Sequence, residues 1–168
     1  MSDPTTDPTL DRLLRHMAWA NAALIARLTE LPIDTLSLAS PRNEWTVVMI
    51  LDHLVSAAGR YAARLEAGPR PERAASPATT AGLAELAADC ASYDARIRSQ
   101  AATPDGPAGY ADETSGLPAR STVGGQAIHH ATEHRAQIAA ALATNGVNAI
   151  DLDALDLWAY GDAEGLGA

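Results

Sequence analysis

Apolar residues recur along this chain at spacings of three and four, segment after segment, and never in sustained alternation. The helical period of about 3.6 residues is therefore the constraint that any fold for it must satisfy. The first such segment runs from about Thr9 to Glu30, with Leu10, Leu13, Leu14, Met17, Asn21, Leu24, Ile25, Leu28 and Leu31 on one face. Asp7 and Pro8 suit its start and Pro32 its end. A second opens after Thr46, a hydroxyl cap, and carries Val47, Ile50, Leu51, Leu54, Ala58, Tyr61, Ala62 and Leu65 up to the stop at Gly68-Pro69. A third covers about Thr80 to Ala102 through Leu83, Leu86, Cys90, Tyr93 and Ile97. The fourth begins at Ser121 and ends at Asn145-Gly146, with Val123, Ala127, Ala131, Ile138, Ala141 and Leu142 as its apolar face. A last stretch, Asp151 to Tyr160, carries Trp158 and reads as one short amphipathic helix. Four long helices without a strand pattern predict an all-α four-helix bundle, a single domain over residues 1–168.

The connectors bear on topology. Pro69 to Thr79 is rich in proline and, extended at ~3.3 Å per residue, could run the whole ~30 Å of a helix, which permits a crossover between parallel neighbours. The polar loop from Thr103 to Arg120 is long enough to be either functional or disordered.

Composition removes several function classes. Apolar types make up 47% of the chain, yet no run approaches the ~18 to 20 apolar residues of a membrane span, and MSDPTTDPTL is unlike a secretory signal. A cytoplasmic location without a membrane partner is expected, in keeping with the single cysteine, Cys90. That thiol lies in the apolar stripe of the third segment and reads as buried and inert. The net charge is −9 and the arginines are dispersed, so nucleic acid is not an expected partner. There is no lysine, which excludes a Schiff-base lysine and a P-loop of the usual kind.

The histidines are the remaining chemistry. On the fourth helix His130 and His134 fall within the buried face, one turn apart, a spacing that suits two ligands on one ion. Two inward imidazoles in register carry a desolvation cost that a shared partner relieves. His129 falls on the opposite face with Gln126 and Glu133 and reads as a solvated residue near Glu133. His53 lies off the main stripe of the second helix on a line with Met49 and Ala57, apolar residues one turn to either side, so that line faces a second concavity. His16, at the edge of the first helix's stripe, is a candidate pocket residue or a support for the ligands. Three neutral imidazoles would leave a coordination position for water or substrate, as catalytic sites do, and suit zinc, nickel or iron.

Three blocks carry a resemblance to a known family: HMAWANAALIARL in the first helix, EWTVVMILDHLV opening the second, and IHHATEHRAQIAAAL followed by NGV in the fourth. Through them the chain resembles the DinB-like superfamily of metal-binding helical bundles, and DLWAY near the C-terminus is in keeping. The resemblance assigns His53, His130 and His134 as ligands of one divalent metal ion and leaves His129 out. It implies an up-down-down-up bundle, often dimeric, and thiol-dependent transferases or isomerases that use low-molecular-weight thiols such as mycothiol or bacillithiol. His16 stands where many relatives have tyrosine.

The leading expectation is a metal-dependent enzyme that activates such a thiol toward a small electrophilic substrate. The alternatives are a hydrolase using metal-activated water, and a metal-binding stress-response protein without turnover. Trp19 falls nearly opposite its helix's stripe, so either the segment around Trp158 or a second subunit is expected to cover it, with a two-fold homodimer through the first helix favoured.

Overall fold

The computed structural model describes residues 7–41, 44–72 and 74–166. Its helices are α1 (Pro8–Thr29), α2 (Val47–Leu65), α3 (Thr80–Ser99), α4 (Arg120–Thr144) and the short α5 (Leu157–Ala163). Among the described residues there is no β-strand, only two isolated bridges, Ala39 with Thr46 and Pro107 with Ala119. No helix is long and apolar enough to cross a membrane among the described residues.

Each helix begins where a side-chain oxygen can take up its free amides. Asp7 accepts from the Thr9 and Leu10 amides at 2.8 and 3.0 Å, and Thr79 accepts from Gly82 at 3.1 Å. Thr46 caps α2 as its sequence position implied, accepting from Met49. The residue before α4, Ala119, has no such oxygen, and the long loop supplies one: Asp105 accepts from the amide and hydroxyl of Ser121 at 3.0 and 2.7 Å. At its other end α4 stops at Gly146, whose φ of +82° suits glycine.

The bundle packs α1 against α3 and α4, and α2 against the same pair, so α1 and α2 stand at opposite corners. Two apolar clusters fill the centre. One gathers Leu24, Leu28, Leu51, Leu86, Ile138 and Leu142; the other holds Leu14, Met17, Ala62, Ile97, Ala127 and Ala131. Between them along α1, α3 and α4 lies a buried polar level. Arg135 donates to Asn21 Oδ1 at 2.7 Å and to Thr132 Oγ1 at 3.0 Å, Asn21 donates to Asp94 Oδ2 at 2.9 Å, and the Cys90 thiol points at the same carboxylate oxygen at 3.6 Å. The Cys90 thiol is buried, and burial and the Asp94 carboxylate push its pKa up, so it is unreactive as expected.

Two segments differ from their sequence reading. The loop of residues 103–120 is folded against α2: Ala108 and Tyr110 are buried, the guanidinium groups of Arg64 and Arg70 each lie 4.3 Å from the Tyr110 ring centroid, and Glu113 receives both. The C-terminal stretch is not one helix over Asp151–Tyr160. Asp156 interrupts it, ending a 3-10 turn at Asp153–Leu155 and capping α5 by accepting from Ala159 at 2.8 Å. The residue that α5 lays on Trp19 is Tyr160, with ring centroids 5.4 Å apart, while Trp158 is 85% exposed.

Replacing the central amide of the polar level leaves Arg135 and Asp94 short of partners in a dry interior. Asn21→Leu is expected to lower unfolding stability by about 3 kcal/mol, with a parallel fall in the urea midpoint at unchanged slope.

Candidate metal centre

Two helices bring three imidazoles to one point. His53 sits in the second turn of α2, and His130 and His134 are one turn apart in the middle of α4, which packs beside it. The Nε2 atoms converge: His130 to His53 at 3.2 Å and His134 to His130 at 2.9 Å. One ligand atom from each of the three lies within 4.8 Å of the others. Tetrahedral nitrogens ~2.1 Å from a zinc ion would stand about 3.4 Å apart, so the cluster has the dimensions of a metal site.

The neighbouring groups fix the protonation pattern. His134 Nδ1 donates to Gln137 Oε1 at 2.8 Å, and the Gln137 amide in turn donates to Glu133 at 3.2 Å. With its proton on Nδ1, His134 presents an Nε2 lone pair to the cluster. A proton on one imidazole could serve only one neighbour at a time, whereas a cation would take all three lone pairs. Burial pushes the His130 imidazole down to about 4, with the charges of His134 and His53 adding to the effect. Burial also lowers His53, reinforced by His134 and Arg60. Both are therefore neutral, the ligating form, at neutral pH.

Aromatic walls hold the rings. Trp45, delivered by the connector before α2, meets His53 edge-on at 5.1 Å, and Tyr61 meets His130 edge-on at 5.7 Å. His53 also lines a cavity of about 310 Å³ together with Trp45, Met49, Asp52, Ser56 and Arg60. This is the concavity expected on the Met49 line, and Met49 is 49% exposed beside it. Ala57 does not share it: α2 is buried over a broad arc, and Ala57, 2% exposed, faces the core. The cavity wall continues through Ser56 and Arg60, three and seven residues beyond His53.

His16 also departs from expectation, because its face of α1 is turned toward the C-terminal segment. Its Nε2 donates to the Leu155 carbonyl at 2.8 Å and its ring packs near Trp19 and Tyr160. His129 is exposed on α4, as its position implied, but the nearby Glu133 carboxylate accepts from Gln137. Gln137, Tyr61 and Arg60 carry no sequence signal strong enough to single them out for the site. The spacing of Gln137, three residues after His134 and hence on the same face, was the available signal.

Lowered imidazole pKa values set the pH response of the metal-free protein. Between the ordinary histidine value of 6.5 and the His130 value of about 4, the unfolded chain binds more protons than the folded one. The metal-free protein is therefore expected to lose stability as pH falls through that window, with the loss complete below it. Thermal melts at stepped pH check this, and His130→Gln should flatten the response.

A family model described as the DinB superfamily matches residues 6–138, a span that contains all three histidines. No curated protein and no solved structure matches the chain.

Proposed function

The chain belongs to the DinB superfamily, and on that premise we propose that it holds one divalent metal ion on His53, His130 and His134 and activates a low-molecular-weight thiol toward a small electrophile. The observation that carries this reading is the convergence of three Nε2 atoms beside a cavity that can admit a small molecule. Zinc and nickel fit an all-imidazole donor set best. Such an ion, when bound, lowers the pKa of a coordinated thiol or water.

The chain's own residues would do the rest. Gln137 holds His134 in the ligating tautomer, Trp45 and Tyr61 fix the other two rings, and the cavity beside His53 orients the substrate. A transferase or isomerase is favoured over a hydrolase by the state of the nearby carboxylates. Asp52, at the cavity wall, accepts the Ser76 amide at 2.9 Å, and Glu133 is exposed and held by Gln137, so neither is placed as a free general base.

The up-down-down-up course belongs to the same proposal. It is supported by pairs along the helices, Asp11 with Arg98 and Asn21 with Asp94 for an antiparallel α1 and α3, and by Asn21 with Arg135 on α4 and Arg27 with Ala149 just beyond the C-terminal end of α4 for a parallel α1 and α4. The contacts of Ser76 with Asp52 and of Arg96 with Glu66 support a parallel α2 and α3, joined by a linker that returns along α2.

Elemental analysis is expected to find one zinc or nickel per chain. His53→Ala, His130→Ala and His134→Ala should each lose it, and His129→Ala should retain it. Loaded protein should consume a low-molecular-weight thiol in the presence of an electrophile, and stripped protein should not. Absence of metal uptake would overturn the reading, whereas uptake without thiol turnover with any electrophile would reduce it to metal binding alone.

We also propose a two-fold homodimer through α1. A groove of about 570 Å³ between α1 and α3, lined by Trp19, Ile25, Cys90 and Tyr160 among others, offers an apolar surface there. Light scattering at micromolar concentration should give twice 17.5 kDa for the native chain and a smaller mass for Trp19→Glu. A native mass of 17.5 kDa throughout would exclude the dimer.

A further inference from the structure

Arg60 stands apart from the other described arginines. Arg12, Arg15, Arg27, Arg64 and the rest each meet a carboxylate, while Arg120 and Arg135 donate to amide or hydroxyl oxygens. Among the described residues Arg60 makes no hydrogen bond or ion pair, although the chain has 21 acidic side chains against 12 arginines. An exposed surface would make this unremarkable. Arg60, however, is half-buried and lines the cavity that His53 also lines. Seven residues separate it from His53, two helical turns, so both side chains leave α2 on one face about 10 Å apart along its axis. Its charge reaches the cluster itself, opposing protonation of both His53 and His130.

Asp52 lines the same cavity, but among the described residues no carboxylate hydrogen-bonds or ion-pairs with Arg60, and a half-buried cation so placed is suited to an anion brought from outside. We propose that Arg60 is the anion-recognising residue of this cavity, and that the substrate is a small organic carboxylate whose acid group seats on the guanidinium while its other end faces His53, His130 and His134. A carboxylate matches a single arginine in both charge and planar two-oxygen geometry. A phosphate dianion would call for a second cation, and Arg64 is already paired with Glu113. The net charge of −9 gives Arg60 added weight, since it is the cation among the described residues that lines this cavity and the protein as a whole repels anions. The inference rests on the metal-thiol reading only for which end of the substrate meets the histidines.

The test titrates straight-chain ω-mercapto acids of increasing length, and the corresponding amides, into cobalt-loaded and metal-free protein by calorimetry. The thiolate-to-cobalt absorption band is followed in parallel. Native protein should prefer acid to amide by roughly 10- to 100-fold at the best length, the scale of one charged hydrogen bond. Arg60→Gln should bring the two within a few-fold of each other, and Arg60→Lys should restore part of the difference. An unchanged cobalt spectrum in both variants shows that the fold and cluster are intact.

No acid preference in native protein would overturn the proposal, and so would a preference that survives Arg60→Gln. Tighter binding of the matching phosphonates would overturn the assignment to carboxylates. The preference without the absorption band supports the anion site and sinks the thiol reading. The band without the preference does the reverse. The metal-free titration decides the anion site even if cobalt is not taken up.

Discussion

Arg135 is 4% exposed, and a buried guanidinium must be answered from more than one direction. The answer comes from Asn21 on α1, which passes the interaction on to Asp94 on α3. Apolar contacts tolerate sliding by a fraction of a turn, whereas a chain of hydrogen bonds at 2.7 and 2.9 Å does not. The three helices are thereby fixed at one level, with leucine-rich packing on either side of it. Because Arg135 adjoins His134 in sequence, the same bonds set the rotation of α4. That rotation decides whether His130 and His134 face α2 or miss it.

Much of this was legible in the sequence, because helical periodicity and imidazole spacing are local signals. The four long helices, the cap at Thr46, the burial of Cys90 and the facing of His130 and His134 all follow from residues a few positions apart. What escaped depends on partners distant in the chain. Asn21 reads in sequence as one more member of an apolar stripe, since nothing near it announces Asp94 or Arg135. His16 is a site candidate by its residue type, yet it is held by a carbonyl 139 residues away. The offset of Ala57 from His53 suggests the same concavity, but a broad buried arc on α2 overrides a single angular argument. Asp156 ended a helix that periodicity alone would have continued.

The centre combines rigid and adaptable parts. Its three imidazoles stand on long helices whose backbones are locked by packing, and Gln137 fixes one tautomer from the same helix. Burial keeps His53 and His130 neutral, which prepares a ligand set at the cost of an acid-sensitive interior. The supports arrive from farther off: Trp45 rides on the connector between α1 and α2, and Tyr61 comes from two turns along α2.

The linker between α2 and α3 has a different kind of importance. The Ser76 amide is tied to Asp52, and Ala75 and Ser76 line the cavity that His53 lines, so part of its wall is a segment outside the bundle. Lengthening such a segment costs little, about 0.6 kcal/mol for each doubling. Insertions there would reshape the chamber while leaving the helices and the three imidazoles where they are. The shape of the chamber and the geometry of the three imidazoles are thus set by separate stretches of chain.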